Sequence, residues 1–167
     1  MNRIVMILAL SYAISPIAAQ KVHVDFDHAC DFSRYKTYRW SGPPHTEFLN
    51  QLMQERVVGF VEEALAAKRL RRVETGSDLL VSLRMDVREQ DMYTTFTDGW
   101  AWGGSVISTT SAEPMLWGTL TVDIVDSGRK QLVFQAVSSA PISSKPEKNT
   151  KRLAKSVNKM FEKYPPR

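Results

Sequence analysis

Cysteine is almost absent from this sequence, in which Cys30 is the only one among 167 residues. A chain with one cysteine has no internal disulfide, so burial of a core must supply its stability. Long apolar runs are also missing. The most apolar stretch, Ile4–Ile14, is shorter than the roughly 20 residues that a membrane-spanning helix needs. Internal repeats and linker-like segments are absent too, which favours a single domain.

The first 19 residues have the pattern of a secretory signal peptide. Arg3 precedes the apolar stretch, and the small residues Ala18 and Ala19 provide a cleavage site. We therefore predict cleavage near Ala19 and an exported chain, periplasmic or secreted, that forms one domain over residues 20–167. The residue directly after Ala19 is Gln20 and not cysteine, so we expect no lipid anchor, and we expect no transmembrane segment in the mature chain.

Positive charge is concentrated at the end of the chain. The whole sequence has a formal net charge of +4, and Lys145–Arg167 alone contains eight basic and two acidic residues. A basic helix face is either simply solvated or contacts an anionic surface. An exported protein rarely meets nucleic acid, so we expect none as a partner. The candidate contacts with an anionic lipid or glycolipid surface are Lys148, Lys151, Arg152 and Lys155.

Several segments alternate apolar and polar residues, which is the pattern of half-buried strands. This period predicts strands at 22–26, 36–40, 78–90, 115–126 and 131–138. A turn at Asp126–Arg129 joins the last two as a hairpin. Gly118 lies inside a predicted strand, where glycine indicates a bulge or a close backbone approach.

Two other segments have the three- and four-residue spacing of amphipathic helices. The first extends from a predicted N-cap at Thr46 to Leu65. The second begins with a predicted capping box of Ser144 and Glu147, and its apolar face is Leu153, Val157, Met160, Phe161 and Tyr164. The element order predicts an α+β fold: an antiparallel or mixed sheet of about five strands with two helices packed on one face.

Four segments in register resemble the bacterial family called domain of unknown function 4136. They are VDFD…DFSRYKTYRW at 24–40, SDLLV at 77–81, GTLTVDIVD…KQLVF at 118–134 and KMFEKYPP at 159–166. The resemblance implies a small exported envelope domain, often a lipoprotein, with no established activity and no catalytic residues to transfer. This chain departs from the family in lacking a lipid-acceptor cysteine, and in having Phe134-Gln135-Ala136 where Trp, a basic residue and Gly are commoner.

The segment Asp91–Glu113 has no clean period and is rich in Thr, Ser, Gly and aromatic residues. One interpretation is an extended hairpin arm, or a loop that folds its aromatic rings onto the sheet. The other is a recognition loop, because aromatic anchors within a polar rim are common in binding sites. The candidate recognition residues are Tyr93, Phe96, Trp100 and Trp102.

Catalytic signatures are missing. Histidine, cysteine and aspartate are dense over residues 23–31, but without the spacing of a zinc site. His45 and several serines are available to a hydrolase, but no nucleophile elbow is present. We therefore expect no enzyme, cofactor or metal. The predicted function is a non-catalytic cell-envelope module that binds an envelope protein or glycolipid. The alternative is a hydrolase that acts on an envelope polymer. A hydrolase would need a pocket with convergent ionisable groups.

Overall fold

The computed structural model describes residues 20–43, 50–98 and 107–165. The elements in chain order are β1 (Lys21–Phe26), a single 3-10 turn (Phe32–Arg34), β2 (Thr37–Trp40), α1 (Gln51–Ala67), β3 (Arg71–Arg72), β4 (Leu79–Asp98), β5 (Ile107–Asp126), β6 (Gln131–Pro141) and α2 (Pro146–Glu162). The predicted signal peptide lies outside the described residues. Within the described ranges, no helix has the length and apolar content needed to cross a bilayer.

The strands form one six-stranded mixed sheet in the order β1-β6-β5-β4-β2-β3. β2 is parallel to both β3 and β4, and the other pairs are antiparallel. The predicted α+β fold is confirmed, with one strand more than expected. That strand is β3, whose two residues, Arg71 and Arg72, are too few to produce a detectable period.

The core lies between the sheet and the helices. On β4 every second side chain from Leu79 to Met85 is buried, as the alternation predicted. The last three of them, Val81, Leu83 and Met85, lie opposite Ile124, Val122 and Leu120 of β5, which are equally buried. One face of the sheet is thus continuous apolar surface, which the two helices cover.

Helix α1 starts later than its predicted N-cap. Asn50 is the cap, and its side-chain Oδ1 accepts a hydrogen bond of 3.0 Å from the Met53 backbone N–H. Thr46 lies outside the described residues. At the other end, Arg69 adopts a left-handed conformation with φ of 62°, a position usually occupied by glycine. The helix therefore ends through backbone hydrogen bonds at its C-cap, without a glycine to adopt the left-handed conformation.

Helix α2 begins without the predicted capping box. Its N-cap is Lys145, which makes no side-chain capping bond. The helix therefore begins one residue too late for Ser144 and Glu147 to occupy the two positions of the box. Instead, the Asn149 side chain accepts from the Ser143 backbone N–H at 2.8 Å and donates to the Ser143 carbonyl at 2.7 Å.

The apolar face predicted for α2 is confirmed, because its five residues are all buried. The Phe161 ring stacks on Phe134 with centroids 5.8 Å apart. Tyr164 meets Phe32 edge-on at 5.3 Å. Aromatic contacts of this kind contribute about 0.5–1.5 kcal/mol beyond area burial. They hold the C-terminal helix against the sheet and the 3-10 turn.

Candidate functional site

β4 and β5 extend beyond the rest of the sheet as a two-stranded arm, defined as residues 88–98 paired with 107–116. β6 pairs with β5 only as far as Trp117, and β2 pairs with β4 only over Leu79–Val81. Among the described residues, no third strand pairs with the arm. The arm therefore presents hydrogen-bonding strand edges to its surroundings. A two-stranded ribbon on its own is also only marginally stable in water.

The predicted recognition residues fall on this arm or next to it. Tyr93 is on β4 opposite Ala112 and is 70% exposed. Phe96 is on β4 at the register position opposite Thr109. Trp100 and Trp102 lie outside the described residues. The extended-hairpin interpretation of this region is confirmed for residues 91–98 and 107–113, which pair as strands.

The arm also carries exposed apolar surface and negative charge. Leu116 lies opposite Glu89 and is 50% exposed. The arm contains one basic residue, Arg88, and four acidic residues, a net charge of −3. Exposed apolar side chains among polar, mostly acidic residues are typical of an interaction site.

The four candidate basic residues of α2 are not equivalent in the structure. Lys148, Lys151 and Lys155 are exposed. Arg152 is half-buried, and its Nη1 donates a hydrogen bond of 2.6 Å to the Pro141 carbonyl. Three of the four are therefore available to an anionic surface, whereas Arg152 points to the junction of α2 with β6.

A cavity of about 240 Å³ lies at the root of the arm, between the sheet and the start of both helices. Apolar side chains make up most of its lining. Arg152 is the one ionisable side chain among the described lining residues. These lining residues are Asn50, Met53, Met85, Val87, Gly118, Leu120, Ser138, Ala140, Pro141, Ile142, Pro146, Asn149, Arg152, Leu153 and Ser156.

Gly118 accounts for part of this cavity. The groups that approach Gly118 are side chains and not the backbone that the sequence predicted, since a Cβ on Gly118 would lie 3.0 Å from the Met85 Cε and 3.4 Å from the Ile142 Cγ1. The bulge between β5 and β6 occurs elsewhere, between Ile124 and Val125.

A polar cluster lies at the opposite end of the sheet, around the β5–β6 turn. The buried Asp126 carboxylate accepts from the Tyr35 hydroxyl at 2.7 Å and from the Arg129 Nε at 2.9 Å. Its other oxygen accepts from the backbone N–H groups of Gly128 and Arg129, both at 2.9 Å. The Cys30 Sγ lies 3.1 Å from both the Tyr35 hydroxyl and the Arg129 Nη2.

These contacts change the acidity of the groups involved. The backbone N–H of Arg129, with the Tyr35 and Arg129 side chains, holds the pKa of Asp126 well below its usual range. Burial, followed by the hydrogen bonds to Cys30 and Asp126, raises the pKa of Tyr35 well above its usual range. Asp126 therefore stays a carboxylate and Tyr35 a neutral phenol, so the cluster is a fixed ion and hydrogen-bond network that closes the turn.

Residues 22–166 match the model of the family described as "Domain of unknown function (DUF4136)". The chain belongs to this family. No curated protein matches it.

Solved structures with a similar fold are distant in sequence. The PelC dodecamer from Paraburkholderia phytofirmans is 11% identical, with a TM-score of 0.54 over 86% of this chain and 95% of the PelC chain. A PDZ domain protein from Parabacteroides distasonis is 12% identical, with a TM-score of 0.56 over 87% of this chain and 36% of its own. At these identities the likeness concerns the fold alone.

Two of the residues considered for a metal site shape the local structure of this DUF4136 domain. Asp31 caps the 3-10 turn by accepting from the backbone N–H and the hydroxyl of Ser33, which lowers its pKa. Asp27 accepts from the Ala29 backbone N–H at 2.9 Å. Among the described residues, no three histidine, cysteine or acidic side chains converge on a common point. His45 lies outside those residues.

Sequence reasoning missed two features of the DUF4136 domain. The turn at Asp126 was predicted, but its bond to Tyr35 joins residues 91 positions apart. Arg152 was grouped with the lysines because the charge pattern of a helix does not show which cation faces a cavity. Neither feature has a local signal, because both depend on how distant segments meet.

Proposed function

We propose that this domain is an exported, non-catalytic module of the cell envelope that binds a partner protein through the β4–β5 arm. The observation that carries the proposal is that β4 and β5 extend beyond every neighbouring strand that the structure describes, with Tyr93 and Leu116 exposed on the extension. Proteins usually protect such edges, so an exposed arm of this length favours a role in binding.

The chemistry of the arm indicates how a partner would bind. An unpaired strand edge can add a strand from another chain, with backbone hydrogen bonds supplying affinity. Tyr93 would act as an aromatic anchor, since tyrosine is enriched among residues that dominate binding energy. The charge of −3 on the arm favours a partner with a basic surface and speeds their encounter.

Export rests on the predicted signal peptide. Intact-mass spectrometry of the chain from the cell envelope should show loss of residues 1–19 and no acyl group on Cys30. An uncleaved Met1 terminus would contradict export by this route, and an acyl mass would contradict an unlipidated product.

The absence of catalysis is part of the proposal. The described cavity lining combines apolar surface with one cation, a composition that suits holding a ligand better than transferring protons. The cluster at Asp126 is built from groups that already satisfy one another. A hydrolase, the alternative considered from the sequence, has no supporting group of nucleophile, acid and base among the described residues.

Site-specific photocrosslinking tests the arm as the binding element. A benzophenone amino acid is placed at Tyr93 in cells that export the full chain. The matched control places it at Leu132, which is also an exposed large apolar residue but lies at the opposite end of the sheet. We expect one discrete protein adduct from position 93 and none of that mass from position 132.

The purified partner then allows a quantitative comparison. Tyr93→Ala should weaken the complex at least about tenfold, as expected for an anchor residue, without changing the melting temperature. No adduct at position 93, the same adduct from both positions, or unchanged affinity of the variant would contradict the proposal.

A further inference from the structure

We propose that the cavity at the root of the arm binds a single-chain carboxylate amphiphile, with the alkyl chain among its apolar side chains and the carboxylate on Arg152. This site is separate from the arm surface, and the inference does not depend on the proposed partner protein.

The apolar part of the cavity suits an alkyl chain. Met53, Met85, Leu120 and Leu153 contribute to its wall. Thioether side chains adapt readily to the shape of an apolar ligand. Apolar cavities of about 150 Å³ are known to stay dry and bind small hydrocarbons. This cavity is larger, at about 240 Å³, so it has room for a longer chain.

The neutral polar side chains in the wall already have hydrogen-bond partners. Asn50 caps α1, and Asn149 is bonded at both ends of its amide to Ser143. The hydroxyls of Ser138 and Ser156 are bonded to each other at 3.0 Å. A ligand with several hydrogen-bonding groups would therefore find few partners here, whereas an alkyl chain needs none.

Arg152 is the one polar side chain in the wall that keeps several hydrogen-bond donors without a described partner. Its Nη1 is fixed by the Pro141 carbonyl, and its Nε and Nη2 have no hydrogen-bond partner among the described residues. No described carboxylate forms an ion pair with it. A guanidinium anchored at one nitrogen presents its remaining donors in a planar arrangement that matches a carboxylate. The exposed Lys148, one turn earlier, adds positive potential near the same position.

Calorimetric titration with decanoate tests the site. The titration is made near neutral pH and below the concentration at which decanoate forms micelles. Decanol serves as the uncharged probe. Wild type should bind one decanoate saturably. Arg152→Gln should weaken decanoate binding about tenfold, the effect of losing one charge-assisted contact, and leave decanol unchanged. Lys151→Gln is the matched control, because it removes the same charge from an exposed position of α2 outside the cavity. Ala140→Leu fills the cavity and should abolish binding of both probes.

Methyl spectra of wild type labelled at methionine provide a readout that needs no variant. Decanoate should shift the Met53 and Met85 methyl signals, while Met160, buried in the core outside the cavity wall, should not move. The proposal is overturned if wild type shows no saturable binding, or if Arg152→Gln and Lys151→Gln weaken decanoate equally. It is also overturned if a folded Ala140→Leu variant binds as wild type does, or if the Met53 and Met85 signals stay unchanged.

Discussion

Replacing Asp126 should destabilise this domain more than replacing any exposed acidic residue. The carboxylate is buried and accepts four hydrogen bonds, two on each oxygen. In Asp126→Asn the remaining oxygen can still accept from the turn N–H groups of Gly128 and Arg129. The new amide nitrogen cannot accept from the Tyr35 hydroxyl or the Arg129 guanidinium.

The size of the effect follows from those two lost bonds. A hydrogen bond to a charged group contributes about 1.5–3 kcal/mol. The Arg129 side chain is 38% exposed, so its bond with Asp126 is screened and counts toward the lower end of that range. We expect Asp126→Asn to lower the free energy of unfolding by about 2–4 kcal/mol near neutral pH. Urea denaturation at constant slope measures this loss.

The effect should depend on pH in a defined direction. Because the pKa of Asp126 is lower in the folded state, the unfolded chain binds the proton first as the pH falls. The stability contributed by this carboxylate is therefore full above its unfolded pKa of about 4 and is lost as the pH falls toward the folded pKa. The difference between wild type and Asp126→Asn should shrink below about pH 4.

The matched control is Asp86→Asn, which changes an exposed carboxylate on β4. It should shift stability by no more than about 0.5 kcal/mol at any pH. Equal losses in the two variants, or a difference for Asp126→Asn that stays constant down to strong acid, would refute the structural role assigned to Asp126.

Three other changes follow from the structure. Trp40→Ala should lower the free energy of unfolding by about 2–3 kcal/mol in a denaturant melt, because the variant loses the ring's packing and the hydrogen bond of 2.9 Å from its Nε1 to Glu62. The loss is smaller than for a fully buried ring because Trp40 is half-buried. A loss below about 1 kcal/mol would contradict this. Arg69→Gly should raise stability by about 0.5–1 kcal/mol in the same assay, since it removes a left-handed strain; a loss would contradict it. The double variant Lys148→Gln with Lys155→Gln should keep nearly the same melting temperature but show less salt-sensitive binding to anionic vesicles. If wild type does not bind such vesicles, the membrane-contact hypothesis is wrong.

Local patterns in the sequence were enough to predict most of the fold. Alternation from Leu79 to Met85 predicted a half-buried strand, and the spacing from Leu153 to Tyr164 predicted the buried face of α2. These predictions succeed because a strand or helix repeats its orientation every two or 3.6 residues, so neighbours in the chain report which side is buried. The four family-like segments indicated the family, which the match over residues 22–166 confirmed.

Tertiary structure alone decided how the candidate sites are built. The start of α2 at Pro146 removed the predicted capping box, and only the register of β4 with β5 showed that residues 91–98 belong to a strand. The same holds for the contact of Asp126 with Tyr35 and for the position of Arg152 beside the cavity. Each of these depends on which distant segments come together, and a one-residue change in register or helix start would send the side chain elsewhere. Local periodicity carries no information about that choice.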